Sequence, residues 1–141
     1  MSAFVDTNVL VRHLTGDPPE IAARATAYLA TEPELLVADL IVAETVYVLE
    51  SFYEAPRPQI AAAMRSLLAF ESVVTIDPAM LLRAIEVYEL DRPDFAEAYL
   101  VAAAETSGVT RIASFDRAID RVAGIERVEP ALPEPHLGAR R

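Results

Sequence analysis

The sequence contains no cysteine and no lysine. Without cysteine there is no disulfide, no thiolate zinc site and no cysteine nucleophile. Without lysine, every mechanism that needs a catalytic lysine falls away, the phosphate-binding P-loop included; all 12 basic residues are arginine. Two histidines, His13 and His136, are too few for a histidine-rich metal site, and His13, beside Arg12, reads as a surface residue. Only 4 glycines occur. No glycine-rich turn and no Gly-x-Ser-x-Gly element is formed, which sets aside a dinucleotide site and a serine-hydrolase elbow. The longest apolar stretch, Leu40 to Leu49, carries Glu44 and is far short of the roughly 20 residues of a membrane helix. No charged start, apolar stretch and small-residue cleavage site occur together at the amino terminus, so a cytoplasmic protein with no membrane association is expected.

What is present is a chain of 141 residues, 53% hydrophobic, with a net charge of −10. That length and apolar content suit one domain with one packed core. The acidic balance counts against a broad grip on nucleic acid, because such affinity comes from displacing phosphate counterions with basic side chains. It favours a small selected target or a basic protein partner, and part of the negative charge can itself serve a cation.

Strand and helix signals alternate along the chain. Ala3-Phe4-Val5 reads as a buried strand ending at Asp6, followed by a short helix that stops at Gly16. Asp17-Pro18-Pro19 opens a helix with Asp17 as its cap and Ile21, Ala25, Tyr28 and Leu29 on its apolar face. Leu35 to Ala38 is a strand, and Asp39 to about Tyr53 a very apolar helix. Ile60, Met64, Leu67 and Leu68 mark the next helix; Val73 to Ile76 is a β-branched strand. Asp77-Pro78 starts a helix with Leu81, Leu82, Ile85 and Tyr88 inward. Pro93-Asp94 starts an alanine-rich helix that stops at Gly108. Arg111 to Ser114 is a strand ending near Asp116, then come a short helix and a strand over Ile125 to Val128. One folded unit is expected over residues 1–129, with a proline-rich flexible tail over 130–141. The alternation implies an α/β fold with a mostly parallel sheet and helices on both faces. In such sheets ligands bind beyond the carboxyl ends of the strands, where Asp6 and Asp116 stand.

The acids have two readings each. Asp6 and Asp116 suit helix caps, and Asp94 with Glu97 forms the Asp-x-x-Glu pattern of a capping box. Glu44 is the only charge between Asp39 and Glu50, with Leu40, Ile41, Tyr47 and Val48 at helical spacing, so it is expected at least partly in a low-dielectric setting. Taken together, the four acids come from four segments, and three of them lie at strand ends or helix starts on what should be one edge. Like charges crowd there only around a cation, and oxygen-only ligands suit Mg²⁺ or Mn²⁺.

The opening Phe4-Val5-Asp6-Thr7-Asn8-Val9-Leu10, the Val42-Ala43-Glu44 step, the Asp94-Phe95-Ala96-Glu97-Ala98 helix start and the Ser114-Phe115-Asp116 strand end resemble the PIN domain. They look especially like the VapC toxins of prokaryotic toxin–antitoxin pairs. The resemblance covers residues 3 to about 128. It implies an α/β/α sandwich with a five-stranded mostly parallel sheet and Mg²⁺- or Mn²⁺-dependent cleavage of RNA. It assigns the site to Asp6, Glu44, Asp94 and Asp116, with Asp6, Asp94 and Asp116 as metal ligands and Glu44 and Glu97 as candidates for further ones. Thr7 and Ser114 match polar positions beside the acids, and Asn8 adjoins them. Glu97 stands where related chains often carry Asp, which leaves ligand and helix cap both open for it. Arg92, Arg111 and Arg117, next to the acids in sequence, are candidates for phosphate contacts. A basic antitoxin peptide and a homodimer are the partners the resemblance implies.

A haloacid-dehalogenase-like phosphatase needs a second Asp at position 8, where Asn stands, and a lysine; a phospho-acceptor receiver domain needs the same lysine. Two other readings stay open: a PIN ribonuclease that is not a toxin, and a catalytically silent PIN-like binding module.

Overall fold

Short apolar runs that end at an acid form the strands, and amphipathic segments with marked ends form the helices. The computed structural model describes residues 2–134. The strands are β1 (Ala3–Phe4), β2 (Leu35–Leu36), β3 (Val73–Val74), β4 (Arg111–Ala113) and β5 (Glu126–Val128). The helices are α1 (Thr7–Thr15), α2 (Pro19–Thr31), α3 (Asp39–Ser51), α4 (Arg57–Leu68), α5 (Pro78–Leu90) and α6 (Phe95–Ser107), with a 3-10 turn over Arg117–Arg121.

The punctuation read from the sequence sets most helix ends. α1 stops where Gly16 takes a left-handed φ of 70° and its N–H donates to the Arg12 carbonyl. Asp77 caps α5 by accepting from the Met80 N–H, with Pro78 in the first turn. α2 differs from expectation: Pro18, not Asp17, is its N-cap residue, and no side chain caps it. Its inward face is Ala22, Ala25 and Leu29, whereas Ile21 and Tyr28 are 45% and 38% exposed. Leu82 of α5 likewise turns outward, leaving Leu81, Ile85 and Tyr88 buried. His13, expected at the surface, is half-buried, with Nδ1 2.8 Å from Thr26 Oγ1 and its ring edge-on to Phe70.

The α/β class and the parallel direction hold, but the single five-stranded sheet does not. β1, β2 and β3 form one parallel ladder, pairing Ala3 with Leu35 and Leu35 with Val73. β4 and β5 form a second, pairing Ile112 with Arg127. Among the described residues no backbone hydrogen bond joins β1 to β4 or β5. The physical reason is strand length: two or three residues support only a bond or two per edge, so side-chain packing rather than the ladder unites the layers. One hydrophobic core does so, running from Val5 and Leu10 through Val46, Leu67 and Ile85 to Ile112 and Ile119. α6 is central to it, packing on α5, α3 and β4. No helix of the described residues is long and apolar enough to cross a membrane. Residues 130–134 have no regular structure; the rest of the expected tail, 135–141, and with it His136, lies outside the described residues.

Candidate functional site

The chain leaves β1 through Val5 and turns at Asp6 into α1. Asp6 is the N-cap residue of that helix, its carboxylate accepting the Thr7 N–H at 2.8 Å. Thr7 is buried, and its hydroxyl donates to Glu44 Oε1 at 2.5 Å. Asp6, Thr7, Asn8 and Glu44 therefore share one open cleft of about 380 Å³, which Arg12, Phe52 and Tyr53 also line. Glu44 itself is exposed rather than sheltered. Its helical neighbours Leu40 and Tyr47 are 77% and 67% exposed, so the apolar face that seemed to bury Glu44 is an outer one.

The second group of acids gathers around the start of α6. Asp94 and Glu97 complete a capping box: the Glu97 N–H donates to Asp94 Oδ1 at 2.8 Å, and the Asp94 N–H to Glu97 Oε1 at 3.3 Å. After β4, Ser114 Oγ accepts the Asp116 N–H at 3.0 Å, and Asp116 accepts the Ala118 N–H at 2.9 Å, capping the 3-10 turn. The Glu97 carboxyl lies close enough to that of Asp116 for a hydrogen bond when Glu97 is protonated. Partial burial, that bond and the charges of Asp94 and Asp116 push the Glu97 carboxyl up to about 7. Asp116 is held below the usual carboxylate range, first by the Ala118 amide and then by the Glu97 proton.

The helix-cap roles of Asp6, Asp94 and Asp116 are thus all realised, and so is the cap role of Glu97. Asp6 stands with Glu44, and Asp94 with Glu97 and Asp116. Among the described residues no three Asp, Glu or His side chains are gathered so as to hold one metal ion. Thr7 links the Asp6 turn to Glu44, and the capping box links Asp94 to Glu97, which lies beside Asp116. Their donor chemistry fits a hard divalent cation, being oxygen throughout.

Of the expected phosphate contacts, Arg111 faces Glu126 at 3.6 Å, Arg117 is exposed at the start of the 3-10 turn, and Arg92 is exposed with a left-handed φ of 66°. Sequence reading missed Arg12, which lines the Asp6–Glu44 cleft. Its signal was available: Arg12 lies four residues after Asn8, on the same helix face. It also missed arginines that brace the acid-bearing turns. Arg127, only 10% exposed, donates to the Ser114 carbonyl at 2.9 Å while pairing with Asp120 and Glu129. Arg57 donates to the carbonyls of Tyr88 and Pro93.

Among solved structures, the crystal structure of Mycobacterium tuberculosis VapC20, a sarcin-ricin loop cleaving toxin, is similar to this chain. The identity is 23%, over 91% of this chain and 99% of that one, with a TM-score of 0.40. No curated protein matches the chain. The PIN-domain family model matches residues 3–125, a span that takes in both carboxylate groups and every strand but the last, and the chain belongs to the PIN-domain family.

Proposed function

We propose that this PIN-family chain is an endoribonuclease dependent on Mg²⁺ or Mn²⁺, acting in the cytoplasm as the toxin of a VapBC-type toxin–antitoxin pair. The observation that carries the reading is the PIN-domain match over residues 3–125, which takes in Asp94, Glu97 and Asp116 around the start of α6 and Asp6 and Glu44 at the α1 junction. Ionised carboxylates gathered at these junctions repel one another, and a hard cation there would offset that repulsion. Asp94 and Asp116 would hold the ion, with Glu97 beside them and Asp6 and Glu44 supplied from the α1 junction. A cation held there neutralises charge on a phosphoryl oxygen and lowers the pKa of a water.

The surroundings suit an unpaired nucleic-acid strand. Phe4, Phe52 and Phe115 are each more than 70% exposed and lie close in sequence or space to the acids, offering faces on which bases stack. Arg12 gives the Asp6–Glu44 cleft a phosphate donor. A groove of about 690 Å³, which shares Asp6, Asn8 and Arg12 with that cleft, runs between α1 and α2, with Phe4, Val9, Ile21 and Tyr28 along it. It suits an apolar-and-charged peptide laid along helices, and the net charge of −10 favours a basic one, as an antitoxin segment would be. A homodimer completes the reading.

The test is incubation of the purified chain with RNA in Mg²⁺, in Mn²⁺ and in saturating EDTA. Cleavage in the two metals and none in EDTA is expected; cleavage that survives EDTA would sink the metal-dependent mechanism. No cleavage in any condition would leave a silent PIN-like binding module. Expression alone should slow growth, and co-expression of the adjacent small gene should restore it. Harmless expression of an active enzyme would leave a PIN ribonuclease that is not a toxin.

A further inference from the structure

The turn that delivers Asp94 is gripped from outside. α5 ends at Leu90, and the chain reverses through Asp91, Arg92 and Pro93 into α6. The Asp91 and Arg92 N–H groups both donate to the Val87 carbonyl, which leaves the Tyr88 and Pro93 carbonyls without partners from that turn. Arg57, the first residue of α4, supplies both: its Nη1 donates to Tyr88 O at 2.8 Å and to Pro93 O at 2.5 Å. Its guanidinium also lies over the Tyr88 ring, 4.3 Å from the centroid. Tyr88 in turn donates its hydroxyl to Glu50 of α3 and meets Phe95, the first residue of α6, edge-on at 5.9 Å.

The Pro93–Asp94 peptide is one rigid plane. Its C=O end is held by Arg57 and its N–H end by Glu97. A planar unit fixed at both ends leaves little freedom to the Cα that carries the Asp94 carboxylate. Arg57 is also misplaced for a helix on its own terms. A cation at a helix N-terminus opposes the helix dipole, so its position is explained by what it holds rather than by α4. A guanidinium is suited to the task, since it stays charged, its Nη1 amino group can donate to both carbonyls, and its flat face lies over the Tyr88 ring.

We infer that Arg57 is a positioning residue for Asp94, setting the carboxylate of the nuclease site by clamping the Pro93–Asp94 peptide from α4. The inference rests on the nuclease reading for its catalytic consequence but not for its structural one, and the experiment separates the two.

The full-length chain and its Arg57→Ala variant are compared by hydrogen exchange in EDTA and by RNA cleavage kinetics in Mg²⁺. In EDTA, exchange over Asp94 to Ala98 is expected to rise about tenfold in R57A while the middle of α5 is unchanged. In Mg²⁺, kcat is expected to fall by about tenfold to a hundredfold with KM for RNA little moved, as for a misplaced catalytic group. Unchanged exchange over Asp94 to Ala98 overturns the inference, and so does a rise spread evenly over α4, α5 and α6. If R57A does not fold, Arg57→Lys takes its place. Lysine keeps the charge but ends one atom shorter and has no planar group to lie over Tyr88, so raised exchange at the start of α6 and a lower kcat are expected, and wild-type behaviour in both overturns the inference. If the wild type cleaves no RNA, the nuclease reading fails, and the exchange arm still decides whether Arg57 holds the Asp94 turn.

Discussion

The Thr7 hydroxyl donates to Glu44 Oε1 at 2.5 Å, tying the first turn of α1 to the middle of α3. Thr7 is buried, whereas Glu44 is exposed and can be hydrated on its other side. Thr7→Val keeps the shape and removes the donor. Stability is expected to fall by about 1 kcal/mol or less, since water replaces the lost partner on Glu44. RNA cleavage is expected to fall by more than that stability change implies, because Glu44 loses its fixed orientation beside Asp6. Thermal unfolding and cleavage rates on the same preparation check this; a large drop in melting temperature with unchanged cleavage would make the bond structural only.

Glu97 is both a capping-box residue and a neighbour of Asp116. Glu97→Gln separates the roles. Glutamine keeps an oxygen for the Asp94 N–H, and its amide N–H can donate to the Asp116 carboxylate, so the cap survives and the like-charge contact disappears. In EDTA the variant is expected to melt no lower than wild type. In Mg²⁺ its cleavage is expected to drop if Glu97 is a ligand and to stay level if it only caps. A lower melting temperature in EDTA would show that the Glu97 carboxyl itself stabilises α6.

His13 is pushed below its ordinary pKa by burial. The unfolded chain therefore binds more protons than the native one as pH falls through about 6.5, so the stability His13 contributes is present above that pH and is lost below it. Melting temperatures of wild type and His13→Gln from pH 8 to 5 test this. Subtracting the two curves isolates His13 from the carboxylates: wild type is expected to lose ground against H13Q on the acid side. Parallel curves would mean that His13 does not titrate with unfolding.

Much of this architecture is legible in the sequence where local chemistry decides. Gly16 and Gly108 stop helices because they take left-handed φ values of 70° and 80°, and Asp77-Pro78 starts one by cap and ring geometry. Non-local relations were not legible. Strands of two or three residues carry too little pattern to say whether five of them share one ladder. An apolar face does not announce which side is solvent, so Leu40 and Tyr47 made Glu44 look sheltered when they are exposed. Arg57 and Pro93 are 36 residues apart, and nothing in a one-dimensional pattern pairs a guanidinium with a distant carbonyl. The capping roles of Asp6, Asp94 and Asp116 were readable from spacing alone, which is why spacing could not separate a cap from a ligand.

Asp6 is where those two roles can be separated by stability. Its carboxylate accepts the Thr7 N–H, and asparagine can accept the same bond, so Asp6→Asn leaves the cap nearly intact. The substitution also removes one negative charge from the cleft that Asp6 shares with Glu44, so in EDTA the variant is expected to melt level with wild type or slightly above it. Added Mg²⁺ should reverse the order. The wild type gains RT ln(1 + [L]/Kd), roughly 2.7 kcal/mol at a free metal concentration about 100 times Kd, and the variant gains much less. In a domain of this size that is a shift of several degrees. Thermal unfolding of both proteins across a Mg²⁺ series from EDTA upward is the measurement. A wild type that shows no rise, or a variant that rises as far, leaves Asp6 as a helix cap and removes it from the metal site.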